Sequence, residues 1–171
     1  EDRSKDLISA ASLREVPVAV VMVDIDHFKA VNDTFGHLVG DEVLQGLAGV
    51  LRSQVNPGDV VGRFGGEEFV ITLFGRDGAA ARSVAERIRT AIAAQEHSSR
   101  ARLATDSNWF DADEAVRPAP TFSITVTIGV ATSDALGHDL PALLLTADEA
   151  LAHGKAAGRD RVQVCASNGS A

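Results

Sequence analysis

The 171-residue sequence contains one cysteine, little positive charge and no long apolar run. The single cysteine, Cys165, cannot form a disulfide within the chain, which suits a reducing compartment. No apolar stretch reaches the roughly 18 residues that a membrane-spanning helix needs, and no signal peptide is recognisable. These absences argue against a disulfide-stapled secreted fold. They predict a cytoplasmic domain, either free or as the cytoplasmic part of a membrane-bound protein.

The charge balance is acidic, with 24 Asp and Glu against 16 Lys and Arg and a net charge of -8. This argues against nucleic acid or an anionic membrane as a partner. The apolar content of 45% is ordinary for a globular protein, and the length suits one domain. We therefore interpret residues 1–171 as a single domain. Because the chain begins with Glu1 rather than methionine, we expect it to be a fragment of a larger protein.

Strands and helices are mixed along the chain. The apolar run Val18–Val23 predicts a central strand buried on both faces. An apolar stripe predicts a helix from about Leu38 to Val55, with Asp41 in its first turn. Alternation over Thr121–Val130 predicts one strand with a wetter face. This mixture predicts an α+β fold in which helices cover a central sheet.

Three segments lie outside this core pattern. Residues 1–15 are interpreted as a polar lead into a helix, and residues 166–171 as a tail. Residues 97–120 show no sustained period and predict a surface insertion loop. Within it, Trp109 and Phe110 either fold back onto the domain or form a contact patch.

The predicted hairpin Asp59–Phe74 carries the strongest functional signal. Gly65 and Gly66 favour a tight turn with positive φ, and Glu67 and Glu68 follow directly. Like charges crowded at one turn repel, and a cation such as Mg²⁺, which prefers hard oxygen ligands, would remove the conflict. A solvated acidic hairpin tip is the alternative.

A second group of carboxylates follows the first buried strand. Asp24 lies where a strand end would hold a metal ligand rigidly at the sheet edge. The segment is not a calcium loop, because Phe28 stands where a third oxygen ligand is needed. Asp26 is interpreted as the N-cap of the next helix.

Several motifs in this order resemble the GGDEF family of diguanylate cyclases. They are Asp24–Asp33, Phe35–His37, Gly40-Asp41, Arg63–Phe69, Val126–Val130 and Ala147–Leu151 with Lys155, Gly158 and Arg159. The resemblance implies a five-stranded, mainly antiparallel sheet flanked by helices, as in nucleotidyl cyclases and polymerase palms. It also implies that a homodimer, with one GTP per subunit, condenses two GTP into cyclic di-GMP and two pyrophosphates. An upstream sensory or regulatory domain would control it.

The resemblance assigns the catalytic and metal-binding roles. Asp24, the carbonyl of Ile25, Glu67 and Glu68 would bind two Mg²⁺ ions, with Mn²⁺ as an alternative. The ions would polarise the α-phosphate and help to ionise the attacking 3′-hydroxyl. Glu67 would also accept the proton. Lys29 would stabilise charge in the transition state, and losing such a contact typically costs about 3 kcal/mol.

The resemblance also assigns the base-binding residues. Asn32 and Asp41 match positions that read guanine, because a carboxylate can accept from both N1–H and the 2-amino group, a pattern that adenine does not offer. His37 matches a position near the base or ribose. The alternative for His37 is a side chain that holds the turn.

The phosphates would be bound by backbone and basic groups. Gly65 and Gly66 would let the backbone approach them, because no side chain intervenes. Lys155 and Arg159 are four residues apart, which predicts one helical face, and they would grip the triphosphate. Ordinary solvated cations at a helix end are the alternative.

Two departures from the family pattern leave the function open. The family usually has Arg-x-x-Asp before the hairpin, where cyclic di-GMP binds and inhibits. Here Asn56–Asp59 lacks the arginine, which predicts weak or absent product inhibition. The family's opening Asp-x-Leu-Thr-Gly-Leu-x-Asn-Arg segment is also absent. The alternatives are a catalytically weak GGDEF module that binds GTP or cyclic di-GMP and regulates a partner, and a dimerising scaffold.

Overall fold

The computed structural model describes residues 2–98 and 120–165, in which helices and strands alternate along the chain. Their bounds are α1 (Asp2–Leu13), β1 (Val18–Ile25), α2 (Phe28–Phe35), α3 (His37–Ser53), β2 (Val60–Gly65), β3 (Glu68–Phe74), α4 (Gly78–Ala93), β4 (His97–Ser98), β5 (Thr121–Phe122), β6 (Val126–Thr132), α5 (Ser133–Leu136), α6 (Leu140–Ala156) and β7 (Val162–Val164).

The main sheet has five strands in the order β2-β3-β1-β6-β7. Strand β1 runs antiparallel to both β3 and β6, and β2 runs antiparallel to β3. Only the pair β6 and β7 is parallel. The predicted α+β architecture with a mainly antiparallel five-stranded sheet is therefore confirmed.

Strand β1 lies at the centre of the sheet, and all eight of its residues are buried. Successive side chains of a strand point to opposite faces, so both faces must be covered. One face packs under α2, α3 and α4 through Ala19, Val21, Val23 and Ile25. The other packs under α1 and α6 through Val18, Val20 and Met22. The prediction of a strand buried on both faces is confirmed.

The single strand predicted over Thr121–Val130 is wrong. The chain instead forms two strands here, β5 and β6, and every residue of β6 is buried. The expected wetter face is absent because its small and polar residues meet protein. The Thr127 hydroxyl donates a hydrogen bond to Asp26. A Cβ added to Gly129 would overlap the backbone of α6 at Ala147, so the helix rests directly on the strand.

Of the predicted insertion loop 97–120, the structure describes residues 97, 98 and 120, and the rest of that prediction lies outside the described residues. His97 and Ser98 pair with β5 in a second, two-stranded sheet. The Phe122 ring stacks on Phe35 at the end of α2, with centroids 4.2 Å apart, and the His97 ring lies 5.6 Å from Phe122. Burial lowers the pKa of His97 below its ordinary value. The small sheet is thus packed against the end of α2.

The interpretations of Trp109, Phe110 and the tail 166–171 fall outside the described residues. The predicted lead corresponds to α1 from Asp2 onward. Across residues 2–98 and 120–165, we find no helix with both the length and the apolar character to cross a membrane.

Candidate active site

The two acidic segments lie on neighbouring strands at the same end of the sheet. Asp24 near the end of β1 lies opposite Glu68, the first residue of β3. Glu67 precedes it in the hairpin turn and is close enough to influence the ionisation of Asp24. The three predicted metal-site carboxylates therefore lie at the same end of the sheet, although Asp24 is more than 40 residues from the other two along the chain.

The hairpin turn differs by one residue from the prediction. Gly65 ends β2, and Gly66 and Glu67 form the turn, with positive φ only at Gly66 (48°). The pairing register shifts between Arg63 and Gly65, so Phe64 forms a β-bulge and is exposed. A bulge bends its strand and re-aims the residues beyond it. Here it presents Glu67 at the tip.

Arg63 fixes this turn. Its Nε and one terminal guanidinium nitrogen donate to the Gly66 carbonyl oxygen at 2.8 and 2.6 Å. Two donors from one rigid guanidinium define an orientation as well as a distance. The carbonyl is therefore tied to Arg63, while the Glu67 side chain next to it makes no comparable contact with Arg63.

Asp24 is only 5% exposed and forms an ion pair with Lys155 from α6, at 2.9 Å from Nζ to Oδ2. Burial raises the pKa of the Asp24 carboxyl, and the hydrogen bond and charge of Lys155 oppose that rise. Burial and the nearby charge of Asp24 raise the pKa of Glu68 as well. In both residues burial is the largest cause of the rise, and neighbouring negative charge adds to it.

The donor set fits a hard divalent cation. Within the described ranges, no group of three or more acidic, histidine or cysteine side chains is arranged so that these side chains alone could hold a metal ion. However, the Lys155 ammonium lies beside Asp24, where it supplies the positive charge that a metal ion would supply. Glu67 and Glu68 are close enough to Asp24 to interact with it electrostatically. Carboxylate oxygens with an adjacent backbone carbonyl, that of Ile25, are the ligand types that Mg²⁺ selects. An incomplete protein cage is usual for Mg²⁺, which binds phosphate oxygens and water too.

Asp26 is not the N-cap of α2, contrary to the sequence interpretation. The N-cap position is His27, which has φ 58° and makes no side-chain cap. Asp26 is buried, and its carboxylate accepts hydrogen bonds from the hydroxyls of Thr125 and Thr127 and from the backbone N–H of Asp160. It joins the ends of β1 and β6 to the loop after α6.

A cavity of about 480 Å³ opens beside the hairpin turn. Six of the predicted site residues line it, namely Lys29, Asn32, His37, Asp41, Gly66 and Glu67. Its walls are α2, α3 and the turn. The expected base-reading residues, Lys29 and Glu67 therefore share one cavity with Gly66, which is one of the four residues expected to face the phosphates. Asp24, Ile25, Gly65, Glu68, Lys155 and Arg159 are not among its lining residues.

The short break at Gly36 creates the angle between α2 and α3. Gly36 has φ 87°, and its N–H bonds back to the Asn32 carbonyl, which ends α2. Helix α3 starts at His37, so Asp41 lies in the second turn rather than the predicted first. Its position is therefore explained by the cavity, which it lines, and not by the helix dipole.

Lys29 is held at the cavity by Asp33. Its Nζ lies 2.7 Å from the Asp33 carboxylate, one helical turn away on α2. The pair is exposed, so it contributes little to stability. Sequence reasoning missed Asp33 as a site residue, although its spacing of four from Lys29 is a visible signal.

Lys155 and Arg159 do not lie on one helical face, because α6 ends at Ala156. Gly158 has φ 113° and Arg159 has φ 63°, so the chain turns sharply after the helix. Lys155 remains at Asp24, while Arg159 is exposed in the loop. The next residue, Asp160, bonds to Asp26, which anchors that loop beside the acidic residues.

Comparisons with known proteins agree on one family. The model of the diguanylate cyclase GGDEF domain matches residues 1–107. Over 146 residues the chain is 38% identical to diguanylate cyclase DgcP of Pseudomonas aeruginosa, which covers 85% of this chain and 19% of that protein. The chain spans 19% of the length of DgcP and 38% of the length of diguanylate cyclase A from Treponema denticola.

Solved structures show the same similarity. The GGDEF domain of DgcB from Caulobacter crescentus, in complex with c-di-GMP, is 27% identical with a TM-score of 0.77, and the match covers 95% of this chain and 86% of that one. The active GGEEF domain of a diguanylate cyclase from Vibrio cholerae is 29% identical with a TM-score of 0.75, covering 95% and 92%. Since the family match spans more than half of the residues and includes the hairpin, this chain belongs to the GGDEF domain family of diguanylate cyclases.

Proposed function

We propose that this chain condenses two GTP molecules into cyclic di-GMP and releases two pyrophosphates. The observation that carries the proposal is the shared cavity, in which Asn32 and Asp41 stand next to Glu67 and Lys29. The family membership gives the reaction class. A homodimer with one GTP per subunit would let two such cavities face each other, and the reaction would place the domain in the cytoplasm, where GTP is made.

The base would be read at the α2 and α3 side of the cavity. The Asp41 carboxylate can accept from N1–H and the 2-amino group of guanine, and the Asn32 amide can both donate and accept. Adenine lacks that pair of donors, so ATP would leave the carboxylate unsatisfied. His37 lines the same side, near the base or ribose.

The chemistry would occur at the turn. The 3′-oxygen of one GTP attacks the α-phosphorus of the other, the bond to pyrophosphate breaks, and Glu67 accepts the hydroxyl proton. Lys29 is placed to neutralise charge that develops on phosphate oxygens. A second, equivalent step in the opposite direction closes the ring.

The acidic strand ends would hold the metal. Asp24, the Ile25 carbonyl, Glu67 and Glu68 are the residues that would bind Mg²⁺, or Mn²⁺, in up to two positions. When bound, the metal supplies Lewis-acid stabilisation of phosphate oxygens. Lys155 holds Asp24 in the free chain, and with nucleotide present its ammonium would turn to the triphosphate together with Arg159 and the backbone at Gly65 and Gly66.

The test is turnover by the purified chain with GTP and MgCl₂, following cyclic di-GMP by chromatography and pyrophosphate by a coupled assay. We expect both products from GTP, neither from ATP, and neither from Glu67→Gln with GTP. A chain that is silent alone is fused to a dimeric coiled coil and assayed again. Binding of GTP or cyclic di-GMP without turnover in both forms selects the regulatory module instead. Absence of binding of both nucleotides overturns both functions.

The relatives are much longer than this chain, which supports an upstream sensory or regulatory domain in the complete protein. Such a domain would act by bringing two cavities together or holding them apart.

A further inference from the structure

Gly40 is a buried glycine inside α3, on the side of the helix that faces α2. A Cβ added there would overlap the Asn32 side-chain oxygen, lie 3.1 Å from the Asn32 Cγ and lie 3.3 Å from the Phe28 Cζ. All three atoms belong to α2. The side chains of Asn32 and Phe28 therefore pack directly against the backbone of α3 at Gly40.

The other glycines of α3 do not have this property. A Cβ on Gly49 would meet nothing within 4 Å, and one on Gly46 would make only ordinary contacts, the nearest at 3.7 Å to His97. A glycine inside a helix is less stable than alanine because it loses more backbone freedom on folding. Gly40 thus makes α3 less stable than an alanine would. The Asn32 side chain is the feature of the structure that requires a glycine at this position.

We propose that Gly40 is a positioning residue for guanine recognition. Its missing side chain leaves the space that the Asn32 amide occupies against α3, one residue before Asp41 on the same helix. This holds the two polar side chains next to each other on the cavity wall. The inference deepens the proposed function, on which it rests, because it names the residue that sets the distance between the two base readers.

An ordinary helix-packing glycine would behave differently. Its replacement would lower stability whatever stands at position 32, and it would not change nucleotide preference. A glycine that makes room for Asn32 predicts the opposite on both counts, because the closest obstacle to a Cβ at position 40 is the Asn32 side-chain oxygen, ahead of the Phe28 Cζ at 3.3 Å.

The test measures binding of 3′-deoxy-GTP and 3′-deoxy-ATP, which lack the attacking hydroxyl and cannot condense. The variants are Gly40→Ala, Asn32→Ala, the double variant, and Gly49→Ala as a matched control on the same helix. We expect Gly40→Ala to weaken 3′-deoxy-GTP binding about tenfold and Gly49→Ala to leave it unchanged. Binding of 3′-deoxy-ATP should change little, so the preference for guanine falls.

The double variant decides whether Gly40 acts through Asn32. With Asn32→Ala already present, Gly40→Ala should alter 3′-deoxy-GTP binding by less than about twofold. An equal loss in both backgrounds, or a Gly40→Ala variant that binds like Gly49→Ala, would overturn the inference.

Melting temperatures keep the test decisive if Gly40→Ala folds poorly. The overlap predicts a lower Tm for Gly40→Ala and recovery in the double variant, since the obstructing side chain is then gone. A loss of Tm that persists without Asn32 would overturn the inference. If the wild-type chain does not bind 3′-deoxy-GTP, there is no guanine site for Gly40 to support. That result would refute the proposed function, even if the Tm values follow the expected pattern.

Discussion

Asp24 is a carboxylate that the fold keeps almost entirely out of water, with Lys155 as its partner. Burial raises its pKa, so the folded chain holds this proton more readily than the unfolded chain does. The stability linked to this proton is present below the unfolded value of 3.8 and is lost as the pH rises through the folded pKa. At neutral pH the ionised Asp24 therefore lowers the stability of the metal-free fold. Its proposed role as a metal ligand explains why such a residue is present.

We predict that Asp24→Asn raises the Tm of the metal-free chain at about pH 7.5. The increase should be smaller at about pH 4, because that pH is close to the pKa of Asp24 in the unfolded chain. The same variant should lose the Tm increase that Mg²⁺ gives the wild type, because binding to the folded state alone is what stabilises it. Thermal melts with and without MgCl₂ measure both effects.

Asp148→Asn is the matched control for this prediction. Asp148 is exposed on α6 and contributes negative charge near Glu68 without being a proposed ligand. It should keep the Mg²⁺-dependent rise in Tm. A full Mg²⁺ response in Asp24→Asn would contradict the assignment of Asp24 as a ligand.

At the scale of elements, Asp26 connects three parts of the site. It accepts from Thr125 at 2.7 Å, from Thr127 at 2.6 Å and from the Asp160 N–H at 3.0 Å. These bonds fix the end of β1, which carries Asp24, relative to β6 and the loop that carries Arg159. A carboxylate can accept all three bonds, whereas an amide has only one acceptor oxygen.

We predict that Asp26→Asn destabilises the fold by about 2–3 kcal/mol. The charge-assisted hydrogen bonds are lost, and the new amide NH₂ group then points at groups that are themselves hydrogen-bond donors. Urea unfolding measures the change through the midpoint. Asp134→Asn, an exposed position in α5, is the control and should stay within about 0.5 kcal/mol of wild type. An unchanged midpoint in Asp26→Asn would show that these bonds do not fix the loop.

The elements that sequence patterns predicted correctly are those defined by local composition. The apolar run in β1 and the stripe of α3 were sufficient, because burial on a sheet or under a helix face leaves a periodic record. The partners of Asp26 lie 99 to 134 residues away, so nothing near Asp26 distinguishes it from a helix cap. The prediction of a wetter face on β6 was wrong for the same reason. In the sequence, a threonine that is hydrogen-bonded inside the protein cannot be told from one that faces water.

The same distinction, between features set by local sequence and features set by contacts between distant segments, applies to the candidate site. The resemblance to the GGDEF family implied a set of site residues, and six of them line the described cavity. It did not predict the bulge at Phe64, the end of α6 before Arg159 or the close contact of Gly40 with Asn32, because each depends on how two separate segments meet. The catalytic roles themselves remain predictions for the experiments above.

For the molecule as a whole, the prediction of weak or absent product inhibition concerns the turn that precedes β2. Asp59 is 8% exposed, and its two carboxylate oxygens accept from the backbone N–H groups of Asn56 and Phe74, at 2.8 and 3.0 Å. It ties the turn to the end of β3. Both oxygens are thus engaged in holding the fold, and the arginine usual in the family is replaced by Asn56.

We therefore predict that cyclic di-GMP at up to about 100 µM does not inhibit the initial rate of the wild type through this turn, since Asn56 supplies no guanidinium and both oxygens of Asp59 already accept backbone hydrogen bonds. Initial rates at increasing product concentration measure this. Asn56→Arg should gain measurable inhibition, because a planar guanidinium can bind phosphate with two hydrogen bonds and stack on guanine. Asn56→Lys supplies the same charge without that geometry and should gain much less. Low-micromolar inhibition of the wild type that disappears when Asp59 is changed would contradict the prediction and show that the turn opens to bind the product.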